Sequence, residues 1–249
     1  MPEEWIKCDL HIHTLDDPKD ALDYSAHQLL ERARALGFTV LAITLHDALF
    51  DDAAVIADAK AMGLLMIPAA EMRIEGADIV LLNVSREELA DLKNFEDVRS
   101  LRARRGSSIF TFAPHPYYVL GGSIGSRLID EIDCFDAIEF CHFYAWWLNP
   151  NRKAAKVARR FRKPLLATSD AHRLHAFGRH FTSVRRPPVL TVQTFLDALR
   201  SEPLRLTSPP SSLWEMISAM WFLFVAHPIR LHRTGKRRSV SGPAGAGLP

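Results

Sequence analysis

The stretch CDLHIHTLDD, residues 8–17, lies close to the start of the chain and alternates apolar with polar side chains. In a β-strand, residues two apart point to the same face, so Asp9, His11 and His13 are predicted to share one face. Two imidazoles on one face can chelate a single cation, and imidazole suits Zn, Mn and Fe. The alternative is a half-exposed strand whose polar face happens to carry histidines. The opposite face would pack in the core through four residues: Ile6, Cys8, Leu10 and Ile12.

Outward from this strand, the sequence predicts alternating strands and helices. Apolar runs typical of buried strands follow at 38–44, 64–68, 77–84, 108–113, 136–140 and 164–169. Helical patterns are found at 25–36, 51–62, from Ser85 to about Arg105, at about 125–132, and at 151–162 and 191–201. A last strand is predicted over 203–208. This alternation predicts a parallel sheet, and about seven units without a glycine-rich phosphate loop favour a closed α/β barrel over a Rossmann sheet.

Composition agrees with one barrel and a separate C-terminal extension. The 249 residues are 48% hydrophobic and 24% charged, a length and composition that suit a single α/β barrel, here assigned to residues 1–207, as well as they suit two small domains. Residues 1–225 hold 26 basic and 29 acidic side chains, a balance that gives no support to a broad nucleic-acid surface. The three cysteines form no C-x-x-C pair and no signal peptide pattern is present, so a reducing cytoplasmic location is predicted.

Residues that bind metals or transfer protons follow six of the predicted strands. They stand in DLHIH, TLHD, AAEM, APHP, EFCH and SDAH. In a barrel of parallel strands these positions meet at one rim, where active sites form. Metal-type ligands at six strand ends are not expected by chance, so the sequence predicts a metal site at this rim.

In their order along the chain, these motifs resemble the signature of the PHP family (polymerase and histidinol phosphatase). The resemblance covers residues 8–182, about 70% of the chain. It implies a distorted (β/α)7 barrel, two or three divalent metal ions (Mn, Zn or Fe) and hydrolysis of a phosphate ester by a metal-bound hydroxide. The implied metal ligands are His11, His13, His46, Glu71, His115, His142, Asp170 and His172.

Three of these residues are also the candidate catalytic groups. The resemblance makes Glu71 a bridging carboxylate between metals. Asp170 could accept a proton from the attacking water, or His172 could protonate the leaving oxygen. Arg173 and Arg179 flank the last motif and could contact the substrate phosphate, because arginine binds phosphate in bidentate fashion. Arginines on a solvated loop are an equally good interpretation of both.

The sequence departs from the family pattern at three places. Leu45 stands where the second motif usually has aspartate, and Asp78 occupies the region in which a further histidine is usual. The S-D-G turn after the first motif is absent. Asp17 and Asp20 are the candidates for its carboxylate, and a solvated loop acid is an equal alternative for each.

The implied function is that of a metal-dependent phosphoric ester hydrolase, a phosphatase acting on a small phosphorylated substrate. One alternative is a nucleotide phosphatase or nuclease, and another is a catalytically degenerate metal-binding regulatory module. Nucleic acid is not an expected partner, since no groove of aromatic and basic residues is evident.

Residues 208–249 differ from the rest of the chain. An apolar stretch, LWEMISAMWFLFVA (213–226), is followed by basic residues and a glycine- and proline-containing end that is predicted to be disordered. Its 14 residues fall short of the roughly 20 that span a bilayer. Weak contact with a membrane surface through residues 213–238 is one interpretation. The favoured alternative is packing of the helix against the barrel exterior or a second subunit.

Overall fold

Strands and helices alternate through residues 4–118 and 121–234, the part of the chain that the computed structural model describes. Within it, the ten strands are β1 (Trp5–Ile12), β2 (Phe38–His46), β3 (Leu65–Met66), β4 (Ala69–Ile74), β5 (Ala77–Leu82), β6 (Phe110–Ala113), β7 (Ala137–Phe140), β8 (Leu165–Ala167), β9 (Phe181–Arg185) and β10 (Leu204–Thr207). The α-helices are α1 (Ala26–Ala35), α2 (Ala53–Ala61), α3 (Arg86–Asp91), α4 (Phe95–Arg105), α5 (Asn151–Phe161), α6 (Val192–Ser201), α7 (Leu213–Trp221) and α8 (His227–Thr234).

All ten strands belong to one sheet. Its order is β10-β9-β1-β2-β4-β5-β6-β7-β8, and β3 pairs with β2. At one end of this order, β8 lies against β9 and β10 from the other end, so the sheet nearly closes on itself. The predicted distorted α/β barrel is therefore confirmed.

The expectation of an all-parallel sheet is wrong at two strands. The connection between β4 and β5 is only Glu75–Gly76, whose φ angles are 47° and 83°. Two left-handed residues in succession form the tight turn of an antiparallel hairpin, and so short a link cannot make a parallel crossover. The strand β9, which the sequence patterns did not predict, also runs antiparallel to β1.

The helix predicted at about 125–132 is also wrong. Two short 3₁₀ turns take its place, at Gly125–Leu128 and Ile132–Cys134. Gly125 has a φ of 63°, which lies outside the right-handed helical region. Gly125 is only the first residue of the predicted helix, and the break between the two turns falls at Glu131, whose φ of −101° and ψ of 16° also lie outside the α-helical region.

The first strand changes register as it approaches the rim. Cys8 and Leu10 pack in the inner core with residues such as Phe112, whereas Ile12 packs in a second cluster under α1 and α2. The expectation that Ile12 shares their face is thus wrong. A register irregularity in the pairing with β2 between Asp9 and Ile12 accounts for the change, because a bulge turns the residues after it.

The C-terminal segment, residues 213–234, is helical throughout. A π-helical turn over Phe222–Ala226 joins α7 to α8. No helix in residues 4–118 and 121–234 has both the length and the apolar character needed to cross a bilayer. The basic tail predicted to be disordered is helical as far as the structure describes it, to Thr234, and residues 235–249 lie outside the described residues.

Candidate metal centre

The first and last motifs of the barrel meet directly. The backbone N–H of His13, just beyond β1, donates to the carbonyl of Ala171 at 3.2 Å. Buried Asp9 strengthens this join, because its Oδ1 accepts from the backbone N–H of Ser169 at 3.1 Å. Residues about 160 positions apart in sequence are thereby fixed at the same rim.

Glu71 in β4 lies at the centre of the cluster. Its Oε2 is 3.4 Å from Nε2 of His11, 3.4 Å from Nε2 of His13 and 3.2 Å from Nε2 of His46. Its Oε1 is 3.2 Å from Nε2 of His115. A buried carboxylate that faces four imidazoles is well placed to bridge two cations.

A second carboxylate, Asp170, faces the same histidines from the loop after β8. Its Oδ1 lies 3.5 Å from Nε2 of His11, 3.3 Å from Nε2 of His13 and 3.4 Å from Nδ1 of His172. Asp170 and His115 have φ angles of 44° and 29°. Such left-handed conformations are unfavourable for side-chain-bearing residues and are concentrated at functional sites.

Asp20 completes the cluster on the side of His172. Its Oδ2 lies 2.8 Å from Nε2 of His172 and 3.7 Å from Nδ1 of His46. The described residues therefore offer three overlapping donor groups, and within each group the potential ligand atoms lie within 4.8 Å of one another. These groups are His13, Asp20, His46 and His172; His11, Glu71 and His115; and His11, His13 and Asp170.

Two further carboxylates orient the imidazoles from behind. Glu139 in β7 lies 3.2 Å from Nδ1 of His11. Asp17 lies 3.0 Å from Nδ1 of His13 and 2.9 Å from Nδ1 of His46. A carboxylate on Nδ1 fixes the ring and leaves Nε2 for a metal, so Asp17 and Glu139 act as orienting groups.

Charge pairing strongly perturbs the pKa values in this cluster. Burial opposes protonation of the imidazoles, but the surrounding carboxylates, led by Glu71, raise the pKa of His46 and of His115 to about 9. Asp170 and Asp20 raise the pKa of His172 to about 10 against the same effect of burial. Burial by itself would raise the pKa of Glu71, but His11 and His46 hold it well below its usual range. The cluster thus attracts positive charge, which protons or metal ions can supply.

The residues present fit a divalent metal centre. Nε2 of His11 and Nε2 of His13 are buried and have no hydrogen-bond partner within residues 4–118 and 121–234. A buried polar atom without a partner is costly, and a cation between these nitrogens and the nearby carboxylates would satisfy both. Imidazole and carboxylate donors suit Mn, Fe and Zn.

Three predicted site residues lie outside these donor groups: the predicted metal ligand His142 and the predicted phosphate contacts Arg173 and Arg179. His142 lies beside His180 instead, with 5.7 Å between the ring centroids. Arg173 donates to Ser218 at 3.3 Å, and Arg179 forms an ion pair with Glu215. Both arginines therefore contact the C-terminal segment.

Two basic side chains that the sequence patterns did not single out, Lys19 and Arg73, border the cluster. Arg73 follows Glu71 by two residues on β4, so the two side chains share a face. Arg73 also pairs with Asp78, which is not part of the three donor groups. Lys19 forms an ion pair with Asp47, whose other oxygen accepts the backbone N–H of Arg73 at 2.6 Å.

One contact comes from far outside the motifs. Nε2 of buried His227, in α8, lies 3.1 Å from Oδ1 of Asp20. His227 is not among the metal ligands that the motifs predict. No local pattern could have included it, since it follows the last motif by 55 residues. Leu45, which stands where the second motif usually has aspartate, is buried in the apolar cluster that includes residues of α1 and α2.

Comparison with known proteins gives one family-model match over part of the chain and several solved structures of the same fold. Residues 149–203 match the family model described as PHP-associated. A search of curated proteins gives no significant match.

Three solved structures share the fold at low sequence identity. PsfC from Pseudomonas syringae PB-5123 superposes with a TM-score of 0.62 at 16% identity, covering 89% of this chain and 98% of that one. A two-domain protein from Bacteroides vulgatus ATCC 8482, described as containing a PHP-like metal-dependent phosphoesterase, gives 0.60 at 16% identity, with coverages of 88% and 70%. The lesion-specific endonuclease PfuEndoQ from Pyrococcus furiosus gives 0.58 at 14% identity, with coverages of 88% and 66%.

Proposed function

We propose that this chain is a PHP-type protein whose rim cluster hydrolyses the phosphate ester of a small molecule, a proposal supported by the PHP-associated match over residues 149–203 and by the shared fold. The observation that carries the proposal is the position of Glu71 among the Nε2 atoms of His11, His13, His46 and His115. A carboxylate shared by four imidazoles favours binding of more than one cation, as a phosphoesterase centre requires.

The residues of the chain would bind the metal ions and transfer protons in this hydrolysis. The three donor groups would hold two or three divalent ions, which would supply Lewis acid activation of water and neutralise charge on the phosphate. Asp170 would accept a proton from the attacking water. His172, whose Nε2 lies 2.8 Å from Oδ2 of Asp20, would return a proton to the leaving oxygen, in which case His13, Asp20 and His46 would be the metal ligands of its donor group.

We assign contact with the substrate phosphate to Lys19 and Arg73. Both side chains are about a quarter exposed, at 28% and 26%, and so can reach a ligand at the rim. A phosphate group would compete with Asp47 and Asp78, their present partners. Arg173 and Arg179 are less suitable because the C-terminal segment engages both.

The test is a panel of phosphate esters assayed with added Mn²⁺ or Zn²⁺. The panel contains sugar phosphates, amino-alcohol phosphates, mononucleotides and an oligonucleotide. The proposal expects metal-dependent release of phosphate from a small ester, abolished by Asp170→Asn and unaffected by the exposed-site control Asp58→Asn. Cleavage of the oligonucleotide alone would favour the nuclease alternative.

A metal-loaded protein that hydrolyses nothing in the panel would favour the degenerate regulatory module. That outcome would leave the metal centre standing but would overturn the phosphatase assignment. Metal content measured on the same samples separates it from a simple failure to load metal.

A further inference from the structure

The C-terminal segment has two faces of different character. The face toward the barrel combines buried Phe222 and Leu231 with polar contacts: Glu215 pairs with Arg179, and Arg230 lies 2.8 Å from Asp23. The face toward solvent is apolar. This aromatic face consists of Leu213, Trp214, Ile217, Met220, Trp221, Phe224, Val225 and Ile229, all of them exposed.

The π-helical turn keeps the two faces aligned. In a regular α-helix, His227 would be rotated by about 140° from Phe222, five residues earlier. In the structure both side chains are buried, with 5.7 Å between their ring centroids. The wider turn therefore puts His227 on the inner side with Phe222, and it leaves Phe224, Val225 and Ile229 on the outer side.

The aromatic face has no cover within the described residues. Trp214 is 79% exposed and Trp221 is 59% exposed. Contiguous apolar surface of this kind marks a contact with a partner or a membrane. The sequence favoured packing of this helix against the barrel exterior or a second subunit; packing against the barrel accounts for buried Phe222 and Leu231 but leaves this face uncovered.

A second exposed aromatic cluster adjoins the start of the segment. Trp146, Trp147 and Leu148 are 77%, 68% and 53% exposed in the loop after β7. Tyr144 ties this loop to the residues that precede α7, because its hydroxyl donates to the carbonyl of Ser208 at 2.6 Å. The backbone carbonyl of Tyr144 also accepts the N–H of Ser211 at 2.7 Å. Tryptophan is the residue that best fits the boundary between water and acyl chains.

We propose that the aromatic face docks on the surface of an anionic lipid bilayer. Charge distinguishes this occupant from a second copy of the segment. The sequence places Arg233 and the run Lys236–Arg238 at the end of the segment, and it has no acidic residue beyond Glu215. A second copy of the segment would offer these cations almost no negative charge. Anionic headgroups would attract each of them, and the apolar face would enter the headgroup boundary.

The experiment measures co-flotation of the full-length protein with phosphatidylcholine vesicles, prepared with and without phosphatidylserine. We expect binding to the phosphatidylserine vesicles at low ionic strength and a blue shift of tryptophan fluorescence. The double variant Trp214→Ala, Trp221→Ala should bind at least about tenfold more weakly. The triple variant Lys236→Glu, Arg237→Glu, Arg238→Glu should lose a similar factor on the anionic vesicles only.

The matched control is Val189→Ala, which alters a side chain that is 67% exposed outside the segment. It should bind as the unaltered protein does. Absence of vesicle binding by the unaltered protein would overturn the proposal. So would a dimer in solution that the double variant dissociates. The assay contains no substrate and needs no turnover, so failure of the proposed phosphatase activity would not affect it.

Discussion

Charged groups are buried at the rim of the barrel, whereas large apolar groups are exposed on the C-terminal segment. Glu71 is 2% exposed among four imidazoles, while Trp214 is 79% exposed on α7. Both arrangements cost free energy in an isolated chain, the first through desolvation of charge and the second through hydration of apolar surface. Each becomes favourable when a partner is present. Both arrangements agree with what we propose, a cation at the rim and a lipid surface on the segment.

The largest effect is expected from a change at the centre of the rim cluster. Glu71→Gln removes the charge shared by the surrounding imidazoles, so phosphatase kcat/KM should fall by more than the roughly 100-fold that loss of an orienting partner costs. The measurement is a steady-state assay with saturating metal, and Glu31→Gln on the exposed side of α1 is the control. A Glu71→Gln enzyme within a fewfold of the original would remove the basis for a metal cluster here.

Adjacent residues of the segment should differ strongly in their effect on its stability. Phe222 is 9% exposed and Trp221 is 59% exposed. Phe222→Ala should weaken attachment of the segment by about 2–4 kcal/mol, because it leaves a cavity, whereas Trp221→Ala should stay within about 0.5 kcal/mol. Amide hydrogen exchange over residues 213–234 measures both changes. Equal effects would mean that the two faces of the segment are not as described.

The stability of the metal-free protein should depend on pH with a definite sign. Folding raises the pKa of His46 and His115 to about 9 and that of His172 to about 10, from about 6.5 in the unfolded chain. The stabilisation from these protonated rings is complete below about pH 6.5 and is lost as the pH rises through 9 to 10.

Metal ions bind the unprotonated rings, so their stabilising effect should change in the opposite direction. The increase in Tm on adding Mn²⁺ should therefore grow between about pH 6 and pH 9. Thermal unfolding with and without metal measures it. An increase that is independent of pH would show that the imidazoles do not exchange protons for metal.

The smallest of these effects is expected where the two regions touch. His227 holds Oδ1 of Asp20 at 3.1 Å, while Oδ2 faces His172. His227→Ala should weaken metal affinity by about tenfold, since orienting partners contribute 10- to 100-fold and this one acts at the edge of the cluster. His227→Gln, which can still donate to Asp20, should recover most of the affinity. Identical losses in the two variants would argue against orientation of Asp20.

Much of the rim could be predicted from sequence because its ligands stand at strand ends. The strand pattern locates His46, His115 and Asp170 near one another without knowledge of side-chain contacts. Glu71 was placed correctly at the rim although its own strand, β4, was missed. That strand is short, carries Glu71 and Arg73, and turns at Glu75–Gly76, which is not among the common hairpin dipeptides.

The remaining features depend on long-range packing that no local pattern records. The contact of His227 with Asp20 needs the π-helical turn of the C-terminal segment, and the sequence shows only a continuous apolar run there. The arginines of the last motif were expected at the substrate, but their partners Glu215 and Ser218 come from the same segment. Periodicity identified a helix at this position. It could not tell which face would meet the barrel.

The most direct test of the central claim is the metal content per chain of gently purified protein, measured by elemental analysis beside a His13→Ala variant. Nε2 of His13 faces both Glu71 and Asp170, and its loss should disrupt two of the three donor groups. His27→Ala, on the exposed side of α1, is the matched control. The account predicts about two or more transition-metal equivalents in the unaltered protein and in the control, and a clear loss in His13→Ala. Less than about half an equivalent in all three, unchanged by added Mn²⁺ or Zn²⁺, would contradict it.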